Sequence, residues 1–262
     1  MAAISNLVMA VSRTGNNIIT SKHLFGNTLS LFEKTLKPYG FIAKYTDLTD
    51  PAAVDKQVDK DTVAIFFETI TNPQLEVANI RALSEIAKKN NILLIADTTL
   101  TPPSVFSARE FGIDMEVLSS TKYISGGATS VGGLLVDYGT FDWSRFGKTK
   151  EAFKEHGRPV FKMMLRKQIF RNLGACLSPH NAYLQSLGLD TLVLRTERST
   201  SNALELARWL EGREAVRHVH HPGLESSKKE KMGLRDTMIR LSVGIEEVED
   251  LIEDFRQVFT AR

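Results

Sequence analysis

The run Ile92-Leu93-Leu94-Ile95-Ala96-Asp97 constrains the fold of this chain more than any other feature. Five apolar residues end in a carboxylate, and Thr98-Thr99 and then Pro102-Pro103 follow. An apolar run of that length, closed by turn signals, reads as a strand buried on both faces, the kind found in parallel sheets. Residues 17–20, 63–67 and 115–118 read as strands too, and between 63–67 and 92–96 the residues Ile80, Leu83 and Ala87 mark one face of a helix. Such alternation implies an α/β fold, a mostly parallel sheet flanked by helices. Asp97 then falls at the carboxyl end of its strand, the edge where open α/β sheets bind ligands. A carboxylate there can pair with a protonated pyridine nitrogen and make the ring an electron sink, or it can simply cap the next helix. Asp97 alone does not choose between the two.

Lys122 sharpens the choice. It sits in Ser119-Ser120-Thr121-Lys122-Tyr123, directly after the mostly apolar Met115-Glu116-Val117-Leu118 and before Gly126-Gly127. A strand ending in clustered hydroxyls and one lysine can seat a phosphate and place an amine beside it. Lysine is well suited to form a Schiff base with a carbonyl cofactor. A third site lies in Met238-Ile239-Arg240-Leu241-Ser242-Val243-Gly244, an apolar run expected to form a strand. Arginine enters such surroundings with an anionic partner. Either a substrate carboxylate, gripped by the guanidinium fork, or a protein Asp or Glu fills that role.

These residues belong to a longer series of motifs. It comprises Met1-Ala2-Ala3-Ile4, Phe25-Gly26-Asn27-Thr28, Glu68 with Asn72-Pro73, Asp97-Thr98-Thr99 and the Lys122 motif. It continues through Leu177-Ser178-Pro179, Gly188-Leu189-Asp190-Thr191-Leu192, His221-Pro222-Gly223-Leu224 and Arg240 to Glu246. In content and order the series resembles the Cys/Met-metabolism family of pyridoxal-phosphate enzymes, the cystathionine γ-synthase-like branch of fold type I. Residues 122–133, Phe141-Asp142-Trp143 and residues 172–179 are most similar to its O-acetylhomoserine sulfhydrylase subgroup.

The resemblance implies roles. Lys122 holds pyridoxal 5'-phosphate through its amine, Asp97 pairs with the pyridine nitrogen, and Ser119 and Thr121 contact the phosphate. The backbone of Met1, at a helix N-terminus, helps hold the phosphate. Thr99 lies against one ring face. Phe25 stands where the family usually has a tyrosine on the other face, keeping the aromatic surface without the hydroxyl. Asn72 bonds near the ring hydroxyl and Arg240 binds the amino acid's carboxylate. Lys122, once displaced by the substrate amine, shuttles protons. In the sulfhydrylase reading acetate leaves the γ-carbon and sulfide adds, giving homocysteine. A γ-lyase of methionine or cystathionine is the rival on the same scaffold, and a cofactor-free remnant that only binds a partner is the rival from another class. A homotetramer is expected. So are two domains, residues 1–174 binding the cofactor and residues 175–262 forming a smaller α+β substrate domain.

Two stretches of the family pattern do not appear: the Ser-Gly before Met1 with the segment upstream of it, and a sizeable stretch near Ser227-Lys228. Leu224 and Arg240 are only sixteen positions apart. Both stretches flank the cofactor and can be mobile without it. They are therefore expected to be missing from an ordered set of residues rather than from the protein.

Bulk properties exclude other classes. With 33 basic and 31 acidic residues the net charge is +2, without a basic block, which does not suggest nucleic acid. No apolar run reaches the length of a membrane span, and residues 1–11 lack the basic start of a signal peptide. One cysteine, Cys176, excludes an internal disulfide and fits a reducing compartment, so a cytoplasmic protein is expected. His218, His220 and His221 lack further ligands at metal-site spacing and read as part of a surface strand, so no metal is expected. Gly126-Gly127 and Gly132-Gly133 match neither a Walker loop nor a dinucleotide fingerprint and are expected to allow tight turns. Residues 138–154 are polar enough to run over the surface. Helices are expected from about 179 to 210, and again where Val248, Leu251, Ile252, Phe255 and Phe259 recur at helical spacing.

Overall fold

A computed structural model describes residues 1–225 and 238–260. The chain opens with helix α1 (Ala2–Val11), then runs β1 (Asn17–Thr20), α2 (Gly26–Ser30), β2 (Ile42–Tyr45), α3 (Pro51–Gln57), β3 (Thr62–Glu68), α4 (Ile80–Asn90), β4 (Leu93–Asp97), β5 (Met115–Leu118) and β6 (Leu134–Asp137). The six strands form one sheet in the order β2-β1-β3-β4-β5-β6, parallel except for the antiparallel β6. All four expected strands are present. The strands β2 and β6 were not anticipated. They are the two edge strands, only partly buried, and so lack the continuous apolar signature of the centre.

Alternate residues of the central strands feed two cores, as the two-residue period of a strand requires. Leu93, Ile95, Phe66 and Val117 face the layer made by α1 and the helical turn at residues 31–36. Leu94, Ala96, Ile65 and Phe67 face α3 and α4. The helices on that second face are set by local chemistry. Asp50 accepts the N–H groups of Ala52 and Ala53 at the start of α3, with Pro51 in its first turn. Asn79 caps α4 through the N–H of Ala82, and Asn91 ends it in the left-handed conformation. Leu83 and Ala87 turn inward as expected.

Residues 138–154 depart from expectation. Polar side chains dominate the segment, yet Trp143 is 2% exposed and Phe146 is buried. Trp143 stacks on Phe161 with ring centroids 5.0 Å apart and meets Phe141 and Phe146 edge-on. Three aromatics anchor what the overall polarity presents as a surface excursion.

Beyond the sheet come α5 (Lys150–His156), α6 (Val160–Met164), a wider helical turn over residues 165–170, and α7 (Arg171–Leu173). Gly174 closes α7 at φ +66°. Ser178 then caps α8 (Pro179–Leu189) through the N–H of Asn181, which explains the Ser178-Pro179 pair as a helix start. The long α9 (Leu192–Glu211) follows, and α10 (Val248–Thr260) packs back on it, with Trp209 against Phe259. Among the described residues, those after 174 form helices and no strand, so the strands of the expected α+β domain are not seen there. His218 to His221 lie in irregular chain rather than a strand. Residues 238–244 are irregular as well, with Ile239 82% exposed. Their apolar side chains meet no sheet face. The chain just beyond is held from α9 instead, where the side-chain amide of Asn202 donates to the carbonyls of Gly244 and Glu246. The shortened stretch near Ser227-Lys228 lies outside the described residues.

Candidate active site

Sheet order reverses between β1 and β3, since β2 follows β1 outward on one side while β3 to β5 extend on the other. Crevices at the carboxyl end of such a reversal are where open α/β sheets bind ligands. The expected site residues gather along that edge. Asp97 ends β4, in register with Glu68 at the end of β3 and with Val117 on β5. Ser119 follows β5 directly, Phe25 follows β1 as the residue before α2, and Asn72 lies in the loop after β3.

Asp97 is largely withdrawn from water. Burial pushes its carboxyl above the ordinary range, while the hydroxyl and N–H of Thr99 act against that. The N–H of Thr99 donates to it at 3.0 Å. Met1 precedes α1, and the start of that helix reaches the same edge, where Gly133 beside the end of β5 lies against Ala3. The hydroxyl of Thr99 accepts the N–H of Ser119 at 2.8 Å, which ties the ends of β4 and β5 together.

Lys122 closes a turn that starts at Ser119, its N–H donating to the Ser119 carbonyl, and its side chain is exposed. The hydroxyl of Thr121 is engaged with Gly132, accepting its N–H at 3.0 Å and donating to its carbonyl at 3.2 Å. A phosphate contact from Thr121 therefore has to share or replace these bonds. Phe25 is 44% exposed and free to offer an aromatic face. Arg240 is exposed rather than buried in a strand, and its guanidinium donates to the Asn72 side-chain oxygen at 2.6 Å. Among the described residues neither an Asp nor a Glu pairs with it. The pair joins two expected site residues 168 positions apart in the chain.

Several participants carried no role in the sequence. Gln185 on α8 donates to the hydroxyl and carbonyl of Ser130, and Arg195 on α9 donates to the Gly188 carbonyl. A methyl group at Gly188 would overlap the backbone of Ile124 and Ser125, so α8 packs directly on the loop that follows Lys122. Gly188 stands within one of the recurring motifs, but its reason is this close approach. Glu68 is the other: a carboxylate 7% exposed at the end of β3. Among the described residues no group of three or more side chains forms a metal cluster.

The family model of the Cys/Met metabolism PLP-dependent enzymes matches residues 1–232 and 225–260. The chain belongs to this family. Its match breaks into two parts around the shortened stretch between Leu224 and Arg240. The chain is 35% identical to the O-acetyl-L-homoserine sulfhydrylase of Corynebacterium glutamicum over 256 residues, covering 90% of this chain and 59% of that protein. It is 32% identical to the homocysteine/cysteine synthase of Saccharomyces cerevisiae over 239 residues, covering 86% and 54%. It thus spans less than two thirds of these curated relatives. A solved O-acetylhomoserine sulfhydrylase of Wolinella succinogenes shares the fold with a TM-score of 0.88 at 40% identity, covering 98% of this chain and 88% of that one. A Campylobacter jejuni structure assigned as an O-acetylhomoserine (thiol)-lyase, whose lysine carries a pyridoxyl phosphate, has a TM-score of 0.83 at 27% identity, covering 98% and 79%.

Pyridoxal phosphate is the cofactor that membership of this PLP family brings, and the residues present fit it. Asp97 is a partly exposed carboxylate at the crevice edge whose nearby donors come from Thr99, so a protonated ring nitrogen suits it. Buried hydroxyls at Thr98 and Ser120 lack hydrogen-bond partners on the same two strand ends. The start of α1, with no side-chain cap and no acidic residue in its first turn, is compatible with a phosphate.

Proposed function

We propose that the protein catalyses a pyridoxal-phosphate-dependent γ-replacement, converting O-acetylhomoserine and sulfide into homocysteine and acetate. The observation that carries this reading is the placement of Asp97 and the Ser119 to Lys122 turn at the ends of adjacent strands, joined by Thr99. The names of the relatives supply the substrate class.

Bound pyridoxal phosphate supplies a carbonyl that condenses with amines and a ring that accepts electrons. Lys122 would hold it covalently, Asp97 would keep the ring nitrogen protonated, and Ser119, Thr121 and the backbone of Met1 would hold the phosphate. Thr99 and Phe25 flank the ring, and Asn72 lies at its hydroxyl. Phe25 has no hydroxyl and moves no proton. Arg240 binds the substrate carboxylate, turning from Asn72 or bridging to it. The amine of Lys122 would serve as the base that takes the proton from the substrate's α-carbon. Acetate leaves from the γ-carbon and sulfide forms the new bond there. Residues 1–174 form the cofactor domain and residues 175–262 the substrate domain, the boundary lying at the left-handed Gly174. The working form is a homotetramer in the cytoplasm, which agrees with a single exposed cysteine. Among the described residues no helix is long and apolar enough to cross a membrane.

The test uses the full-length protein with added pyridoxal phosphate. A yellow absorbance that borohydride bleaches, together with homocysteine from O-acetylhomoserine and sulfide, is the expected result. Lys122→Ala should abolish turnover with the fold intact. Ketobutyrate from methionine as the main product would move the assignment to a γ-lyase. A protein that stays colourless would remove the enzymatic reading.

A further inference from the structure

We propose that Glu68 is a positioning residue of this site, a buried carboxylate that locks the Phe25 and Asn72 segments in place across the strand reversal beside Asp97. The inference rests on the functional reading for what those segments hold, but its geometry does not depend on the cofactor. Glu68 ends β3, and Phe25 lies five residues beyond the end of β1, on the opposite lip of the crevice. The N–H of Phe25 donates to Glu68 Oε1 at 2.6 Å. Phe25 is the residue before α2, where the first N–H groups have no partner inside the helix. Glu68 supplies the missing acceptor from another strand.

The N–H of Asn72 also favours the ionised carboxylate, so the charge of Glu68 acts on that segment as well as bonding the first. Phe25 is the aromatic surface proposed for one ring face, and Asn72 is the partner of Arg240. Their backbones thus share one anchor, and the register Glu68↔Asp97 sets that anchor one strand away from the carboxylate proposed for the ring nitrogen.

Stability alone does not account for the residue. Two carboxylates side by side at a buried edge oppose each other. Burial first, and then the charge of Asp97, push Glu68 up to about 7. A neutral side chain would avoid this cost. A group that costs stability and yet bonds the Phe25 segment across the strand reversal is placed for the site.

The experiment compares wild type, Glu68→Ala and Glu68→Gln. Backbone hydrogen exchange in protein without added cofactor should show the Phe25 and Asn72 amides exchanging faster in Glu68→Ala, on the order of tenfold for a lost acceptor. Glu68→Gln keeps a carbonyl acceptor and should restore part of the protection. With pyridoxal phosphate added, Glu68→Ala should bind it on the order of tenfold more weakly. The visible circular dichroism of the bound cofactor should change, and Glu68→Gln should recover toward wild type. The thermal midpoint of the cofactor-free Ala variant should not fall in step with affinity. Unchanged exchange at both amides would overturn the positioning role, whatever the cofactor does. So would an Ala variant with wild-type affinity and circular dichroism. Should the Ala variant fail to fold, Glu68→Met, which keeps most of the side-chain volume without the carboxylate acceptor, takes its place, and unaltered exchange and affinity in that variant decide against the proposal. A wild-type protein that binds no pyridoxal phosphate would instead remove the functional reading, which the exchange data do not touch.

Discussion

Individual side chains at the sheet edge make separable demands. The guanidinium of Arg240 already bonds Asn72, so its substitution reports on two possible roles. Arg240→Lys keeps the charge and loses the planar fork. Weaker amino-acid binding, by roughly tenfold to a hundredfold, is expected from the loss of a charge-assisted pair worth about 1.5–3 kcal/mol, with cofactor still attached. Substrate titration and a melting curve on the same variant check this, and a purely thermal effect would reassign Arg240 to the scaffold. Glu68 makes a different demand, on pH. Its carboxyl sits at about 7 in the fold, against an ordinary value of 4.5. Below 4.5 both folded and unfolded chains carry the proton, and nothing is lost. Between 4.5 and 7 the unfolded chain releases it first, so stability falls as pH rises through that window. Above 7 the full cost, about 3 kcal/mol, is present. Glu68→Gln removes this titration. The thermal midpoint of cofactor-free wild type should therefore drop relative to Glu68→Gln from pH 4.5 to 7 and keep a constant gap above. A gap independent of pH would show that Glu68 does not titrate there.

Elements act on the site through where they pack. Helix α8 lies on the loop after Lys122, and Gly188 is the point of closest approach. In an exposed helix, Gly→Ala stabilises by about 1 kcal/mol. At Gly188 the added methyl meets the backbone of Ile124 and Ser125, which cannot rotate away, and overpacking costs about 1–3 kcal/mol. The second effect is expected to win. Gly188→Ala should lower the thermal midpoint and disturb the visible circular dichroism of bound cofactor; a rise in midpoint would show that the loop yields freely. Strands tell a similar story of context. The central strands β3 and β4 were legible because both faces are buried and their runs are therefore apolar throughout. Residues 238–244 also alternate apolar residues with others and yet form no ladder with any described strand. A strand needs a partner, and the pattern of one segment does not name it.

Across the whole molecule, two cores on either side of one sheet hold the site edge rigid. Trp143 contributes from a segment whose polarity hides it, stacked on Phe161 beneath α1 and the sheet. Trp143→Ala should cost about 3–5 kcal/mol, as large aromatic truncations in cores do, measurable by urea denaturation. A loss below about 1 kcal/mol would return residues 138–154 to the surface. The sequence by itself determined the α/β class, the central strands, the helices α4, α8, α9 and α10, and the position of Asp97 and of the Ser119 to Lys122 motif at strand ends. These are legible because continuous apolar runs, helical spacing and caps are local signals, and because strand ends are where an α/β sheet exposes reactive groups. Tertiary structure alone decided that Glu68 bonds Phe25, that Arg240 meets Asn72, that Thr121 closes on Gly132, and that Gly188 admits α8. Each of these joins segments far apart in the chain. Hydrogen bonds and close packing depend on angstrom-scale distances in space, which residue order does not contain until the sheet has set the register of its strands.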